Sequence, residues 1–475
     1  MRGPRRDQRH GGRDGGTVSS AGSPGDPGVS RERIARLLGR GAARAKTDSG
    51  PRAQSIPATE SQPGTHTSGD PVDLEESVGP AGDYLARCTE FERDTLHGSW
   101  RLGEVDGLDP GAFALLCGDA SLADLDPERA VYLDTETTGL SGGAGTWVFM
   151  VGLGWFEGGA FKVWQGFLGG PEQEAALLAE VARRIADAQA VVSFFGKSFD
   201  RHRLEDKMRI VGVDSPFEGL PHLDLYHPMR RVNGGQFEND RLQTLERGLL
   251  GLEREQDLPG SMAPEAWFDY LAERPHRLEG VFHHNLLDVL SLVTLTAHLG
   301  FTLAEQRPGA GKGGEALAGC PARRAWAVGR ALWTSGQRAE ALEWMGRGLD
   351  RLGEGGEECR DWQWLLAESL RLEGRVDAAR AALAALTRGK AARDGLALLA
   401  HEALAKLHEH ALGDPDGAAE WTREAIALRV GLTPRASGVP TPGDLEHRLE
   451  RLTLKAAAAR EEVARRQQQS TEHVQ

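Results

Sequence analysis

Residues 130–139, AVYLDTETTG, constrain this chain more than any other segment. The apolar run reads as a buried strand and the glycine as its exit turn. Asp134 and Glu136 stand two apart at the end of that run. Side chains two apart on a strand share a face, so two carboxylates lie side by side where the strand ends. Ionising both there is costly, and a divalent cation removes the cost. A fold for this chain has to bring further oxygen ligands to the same strand end.

Two later segments supply candidates. Phe195-Gly196-Lys197-Ser198-Phe199-Asp200 ends and follows the apolar run AVVSFF. Gly196 permits a tight exit, and Asp200 falls on the first turn of a helix, where an acid also favours the helix dipole. His283-His284-Asn285-Leu286-Leu287-Asp288 lies inside a long helical pattern. His284 and Asp288 are four apart and project from one helical face. A carboxylate beside an imidazole suits a metal ligand plus a proton acceptor for water, and a histidine's ordinary value of about 6.5 suits that task near neutral pH.

The surrounding pattern is α/β. TWVFMVGLGWF and AFKVWQGFL are strand-like and separated by Glu157-Gly158-Gly159, a hairpin turn. EQEAALLAEVARRIADA is a helix, AVVSFF a strand, FDRHRLEDKMRIVG a helix and PHLDLYH a fifth strand. Helical segments follow around LQTLERGLLGL, PEAWFDYL and LEGVFHHNLLDVLSLVTLTAHLGF. The hairpins predict an antiparallel half and the later alternation a parallel one. This order predicts a ribonuclease-H-like mixed five-stranded sheet with flanking helices over residues 81–310. Residues 318–432 are all-α, three helix–turn–helix stretches centred on Gly336, Gly374 and Gly413, at a spacing near that of tetratricopeptide pairs. Residues 433–475 read as a linker and a charged helix. Residues 1–80 are rich in Gly, Pro, Ser, Arg and Asp and are expected to form a disordered leader, with one amphipathic turn in RERIARLLGR.

The ordered set Asp134/Glu136, Asp200 and His-Asp288 resembles the DEDD exonuclease superfamily. Over roughly residues 95–303 the chain is similar to the YprB-like ribonuclease-H-like domain family, to which HLDLYHPMRR, LQTLERGLLGLEREQDLPG and HHNLLDV also correspond. The helical region looks like the tail some such proteins carry. The resemblance implies phosphodiester hydrolysis, exonucleolytic in the 3′ to 5′ direction, with two magnesium or manganese ions about 3.5–4 Å apart. Asp134 would bridge the ions. Glu136, Asp200 and Asp288 would complete their shells, partly through water. Histidine-type members place the base five before the last acid, at His283, and tyrosine-type members place theirs at the position of His284. The His-Asn pair of the YprB-like group points to His284. Helical geometry agrees, because a five-residue offset turns roughly 140° away from Asp288. His284 is taken as the base and His283 kept as the alternative.

Formal net charge is -14, which argues against a polyanion-coating protein. A nuclease of this charge needs local basic groups, since phosphate contact dominates nucleic-acid affinity. Lys197, Arg201 and Arg203 surround Asp200, and Arg230, Arg231 and Arg241 bracket the loop NGGQFEND. Lys197, Arg201 and Arg231 are assigned to nucleic-acid binding. Asp224, on the fifth strand, is either a further acid near the site or a cap of the next turn. Leu140, Trp147 and Phe199 are candidate wedges against terminal bases, Trp147 reading better as core. The expected partners are DNA or RNA with a single-stranded end, and a protein held by the helical repeats. Cys88, Cys117, Cys320 and Cys359 form no C-x-x-C pair, and no apolar run is expected to span a membrane. A cytoplasmic protein is expected. The rival readings are a non-catalytic scaffold on a nuclease fold and a nucleotide-processing phosphohydrolase.

Overall fold

A computed structural model describes residues 73–79, 81–139, 145–255, 257–303, 321–352, 357–388, 393–430 and 439–472. Seven strands form one mixed sheet: β1 (Glu75–Gly79), β2 (Gly82–Glu92), β3 (Ala130–Thr137), β4 (Val148–Glu157), β5 (Ala160–Phe167), β6 (Ala190–Ser193) and β7 (His222–Asp224). Their spatial order is β1-β2-β5-β4-β3-β6-β7. Pairings from β1 through β3 are antiparallel, and β3–β6 and β6–β7 are parallel. The five expected strands are the last five in that order, with the expected directions.

Strands β1 and β2 correct two expectations. They raise the sheet from five strands to seven, and β1 falls inside the segment assigned to the leader. Both are half-solvated: β2 buries Tyr84 and Ala86 but exposes Asp83, Glu90 and Glu92. A search for apolar runs passes over such edge strands. The amphipathic turn near Ile34, Leu140 and the boundary near residue 310 lie outside the described residues.

Five helices matter for the site: α1 (Pro110–Cys117), α2 (Glu174–Ala186), α3 (Asp200–Val211), α4 (Tyr226–Asn233) and, after the helix Ala263–Leu271 (α5), the long α6 (Leu278–Gly300). By length and composition α6 is apolar enough to cross a membrane, contrary to the expectation that no run reaches that length. Yet 78% of its apolar window is buried inside the protein, with Phe282, Val289, Leu292 and Val293 packed in the core. It crosses the sheet where register aligns Asp134 with Gly152 and Gly152 with Gln165. A Cβ on Gly152 would stand 2.3 Å from Asn285 Oδ1. The missing side chain therefore admits the Asn285 amide between two strands. Helix α2 covers the opposite face, where a Cβ on Gly166 would meet Leu177.

The all-α part comprises α7 (Ala322–Thr334), α8 (Arg338–Leu352), α9 (Glu357–Leu372), α10 (Val376–Leu386), α11 (Gly395–His410), α12 (Pro415–Val430) and α13 (Pro442–Glu472). The first six form three helix pairs whose turns place Gly336, Gly374 and Gly413 at positive φ, as the turn reading requires. Trp326 and Trp362 stack in parallel between neighbouring pairs, with ring centroids 4.6 Å apart. Buried Glu409 of α11 takes bonds from Arg451, Lys455 and Arg448 of α13, and the Arg451 bond holds its carboxyl down to about 2. The array rests directly on α4: Arg324 donates to Asn233 Oδ1 at 2.7 Å and Arg323 to the Gly234 carbonyl at 3.2 Å.

Gly152→Ala should lower the thermal midpoint by the equivalent of about 1–3 kcal/mol through overpacking. Gly346→Ala on α8, where a Cβ meets nothing within 4 Å, should raise it by up to about 1 kcal/mol from helix propensity. Calorimetry of both variants checks the contact; an unchanged or raised midpoint for Gly152→Ala would remove Asn285 from the strand.

Candidate active site

The end of β3 carries the first two acids. Asp134 Oδ2 accepts a hydrogen bond from Asn285 Nδ2 at 2.8 Å. Asn285 Oδ1 accepts from Gln165 Nε2 at 2.9 Å, and the same nitrogen donates to the Phe282 carbonyl at 2.7 Å. Asn285 and Gln165 are buried, so a chain of amides running over Gly152 fixes the Asp134 carboxylate. Glu136, two residues on, is also buried.

Asp200 arrives from the other side, on the first turn of α3, and takes a hydrogen bond from the Thr135 hydroxyl. The turn before it is tight: a Cβ on Gly196 would stand 2.5 Å from Ser193 Oγ and 2.9 Å from Asp200 Oδ2. Asp224 holds this turn. Its Oδ1 accepts from the backbone N–H groups of Phe195 at 2.8 Å and Tyr226 at 3.1 Å, and its Oδ2 accepts from that of Lys197 at 3.1 Å. Asp224 thus caps the turn, and its charge also bears on Asp200, so both readings of Asp224 hold.

Helix α6 brings His284 and Asp288. His284 Nδ1 lies 2.8 and 2.9 Å from the two oxygens of Asp257, and Nε2 lies 3.6 Å from Asp288 Oδ2. His283 is exposed on the solvent side of the helix. Arg254, buried, donates to Asp257 Oδ2 at 3.1 Å and to Glu246 Oε2 at 2.8 Å, and also pairs with Asp288. Sequence reasoning missed Asn285, Arg254, Asp257 and Glu246. Arg254 and Asp257 lie in LEREQDLPG, which has no strand or helix periodicity to place it. The i,i+3 offset of that charge pair was the available signal.

The electrostatics follow from crowding. Burial and the charges of Asp288, Glu136 and Asp200 push Asp134 well above the usual carboxylate range. Burial raises Glu136 to about 8, with Asp288 and Asp200 adding to it against the pull of His284. Burial lifts Asp200 to about 6, opposed by its bond from Thr135. The expected ordinary histidine titration does not hold for His284: burial pulls the ring down, but the Asp257 bond and the Asp288 and Glu136 charges outweigh it and raise it to about 9. The donors are hard carboxylate oxygens that repel one another, which fits a hard divalent cation. Among the described residues, no three His, Cys, Asp or Glu side chains stand, as placed, in a group that could hold a metal ion. The side chains hold Asn285, Thr135 and Arg254 as partners instead.

The basic residues are engaged. Lys197 Nζ lies 3.4 Å from Asp119, and Arg201 Nε 3.0 Å from Glu205 of its own helix. Arg231 donates to the Leu116 carbonyl and ties α4 to α1. Trp147 is half-buried, with Lys207 Nζ 4.2 Å above its ring, and Phe199 lies under Arg203.

A family model described as the RNase_H superfamily matches residues 131–300. The chain is also 31% identical over 218 residues to "Uncharacterized protein YprB" of Bacillus subtilis (strain 168), across 45% of this chain and 52% of that protein. It thus spans about half the length of that curated relative. Residues 131–300 are an RNase_H superfamily domain, a nuclease-like fold, and they contain Asp134, Glu136, Asp200, Asp257, His284 and Asp288.

A raised carboxyl favours the fold in its neutral form. Glu136 therefore contributes stability that is full below its unfolded value of 4.5 and lost as pH rises through about 8. In chelator, Glu136→Gln should be more stable than wild type at pH 9 by about 1–3 kcal/mol, with the difference shrinking towards pH 5. Denaturant titrations at the two pH values check it; equal stability at pH 9 would mean that Glu136 is not held among uncompensated acids.

Proposed function

We propose that this protein is a metal-dependent nuclease that hydrolyses phosphodiester bonds as a 3′–5′ exonuclease, working from a single-stranded end of DNA or RNA. The observation that carries the reading is the meeting of Asp134, Glu136, Asp200 and Asp288 beside an imidazole already oriented by a carboxylate. Those four acids would hold two magnesium or manganese ions. When bound, such ions activate water and stabilise charge on the phosphoryl oxygens.

The chain's own residues do the rest. Asp257 engages His284 Nδ1, which leaves Nε2 on the side of Asp288 to take a proton from water. Neutralising Asp288 and Glu136 removes two of the charges that hold the ring up and returns it towards its ordinary value of about 6.5. Arg254 bonds Asp257 and Asp288 together, so the orienting acid and the metal-side acid move as one unit. Asn285 aims Asp134. Lys197 and Arg201 stand beside Asp200 and exchange Asp119 and Glu205 for phosphates; Arg231 lends support through α1. The helical region offers its surface to a protein partner. A reducing cytoplasm accords with the free thiols of Cys88, Cys117 and Cys359.

The test is hydrolysis of labelled single- and double-stranded DNA and RNA with and without manganese. Asp134→Ala should abolish cleavage. His284→Ala should lower turnover about 10²–10⁴-fold while manganese affinity persists, and Asp257→Asn should lie between it and wild type. His283→Ala should act almost as wild type. A crippled His283→Ala with a normal His284→Ala would move the base to His283. No hydrolysis by wild type on any substrate would favour the scaffold reading.

A further inference from the structure

Phe195 is one of two non-glycine residues with positive φ among the described residues, at 63°. A bulky side chain there is a steric outlier that persists only where the surroundings hold it. The holding groups are the Asp224 carboxylate, on the N–H groups of Phe195 and Lys197, and the tight turn at Gly196. The strain does not serve to bury the ring, since Phe195 is 45% exposed. It serves to present the ring.

The ring is braced without being covered. It meets Tyr226 edge-on, with centroids 5.0 Å apart at 75°, and Phe194 braces Tyr226 from another side at 87°. His227 lies 6.4 Å from Phe195 at a tilt. None of the Phe195 ring contacts among the described residues is a face-to-face stack, and an edge-to-face contact with Tyr226 occupies at most one of the ring's two faces. The next residue, Gly196, abuts Asp200. Exposed Lys197 follows, and Arg230 reaches the Tyr226 hydroxyl at 3.4 Å. An exposed aromatic ring near the acid cluster, with Lys197 paired to Asp119 and Arg230 paired to Asp240 close by, matches a planar base whose phosphate would compete for those cations.

We propose that Phe195, braced by Tyr226, is a stacking platform for an unpaired nucleobase of the strand entering the acidic site. The proposal rests on the nuclease reading and narrows its substrate to strands whose bases are unstacked there. A base inside a duplex is covered on both faces, whereas a single strand offers a free face to an aromatic side chain.

Fluorescence anisotropy of the full chain tests this, with end-labelled 12-mers of thymidylate and uridylate, and abasic 12-mers of the same backbone, in calcium buffer. Probe length is verified afterwards. Glycine suits a φ of 63°, so Phe195→Gly should keep its fold, which circular dichroism checks. It should bind the base-bearing probe about 5- to 100-fold more weakly than wild type and the abasic probe equally well. Phe195→Trp should retain base-dependent binding. If Phe195→Gly binds both probes as wild type does, or loses both equally, the platform is overturned while the nuclease reading stands. If wild type binds no probe, the nuclease reading fails and the platform fails with it.

Discussion

Repulsion among carboxylates at one end of β3 is the constraint on which the rest of the site depends. Asp134, Glu136, Asp200 and Asp288 come from a strand, a helix N-terminus and the middle of a long buried helix. No local preference brings them together, and their mutual repulsion opposes it. The core does the work against it: α6 buries its apolar surface on the sheet and carries Asp288 and His284 with it. Burying apolar area is worth roughly 25 cal/mol per Å².

The same helix also settles where each acid points. Without a side chain at Gly152, Asn285 can reach between strands to Asp134, and Gln165 on the next strand holds Asn285 in turn. On the far side Asp224 fixes the turn that delivers Asp200. Arg254 joins Asp257 to Asp288. Asp134, Asp200 and Asp288 are thus held by the Asn285 amide, the Thr135 hydroxyl and the Arg254 guanidinium.

Much of this was readable from periodicity. The central strands are unbroken apolar runs, and the acids stand at their exits or at i,i+4 helical spacing, so elements and acids declare themselves together. The edge strands β1 and β2 were not readable, because a half-solvated strand such as Gly82–Glu92 mixes charges with its buried residues. Asp257 and Arg254 were equally hidden. They lie on an irregular segment, and only the tertiary fold brings it against α6. The pKa of His284 was misjudged for the same reason: spacing revealed Asp288 as a neighbour, but not Asp257, whose hydrogen bond does most to raise the ring.

Around α6, Asp134, Glu136, Asp200, Asp288, Asp257 and Glu246, with Asp224 acting on Asp200, outnumber the buried cations Arg254 and His284 held among them. Burial, joined by the neighbouring carboxylates, displaces Asp134, Glu136, Asp200 and Glu246 upward and favours their protonated forms. The two-ion arrangement proposed above would supply positive charge in the place of those protons. A neutral residue at Arg254 would remove one cation from this cluster and free Asp288 from its tether to Asp257. One buried arginine, from the segment least readable in the sequence, thus links the charge of the acid cluster to the orientation of the proposed base.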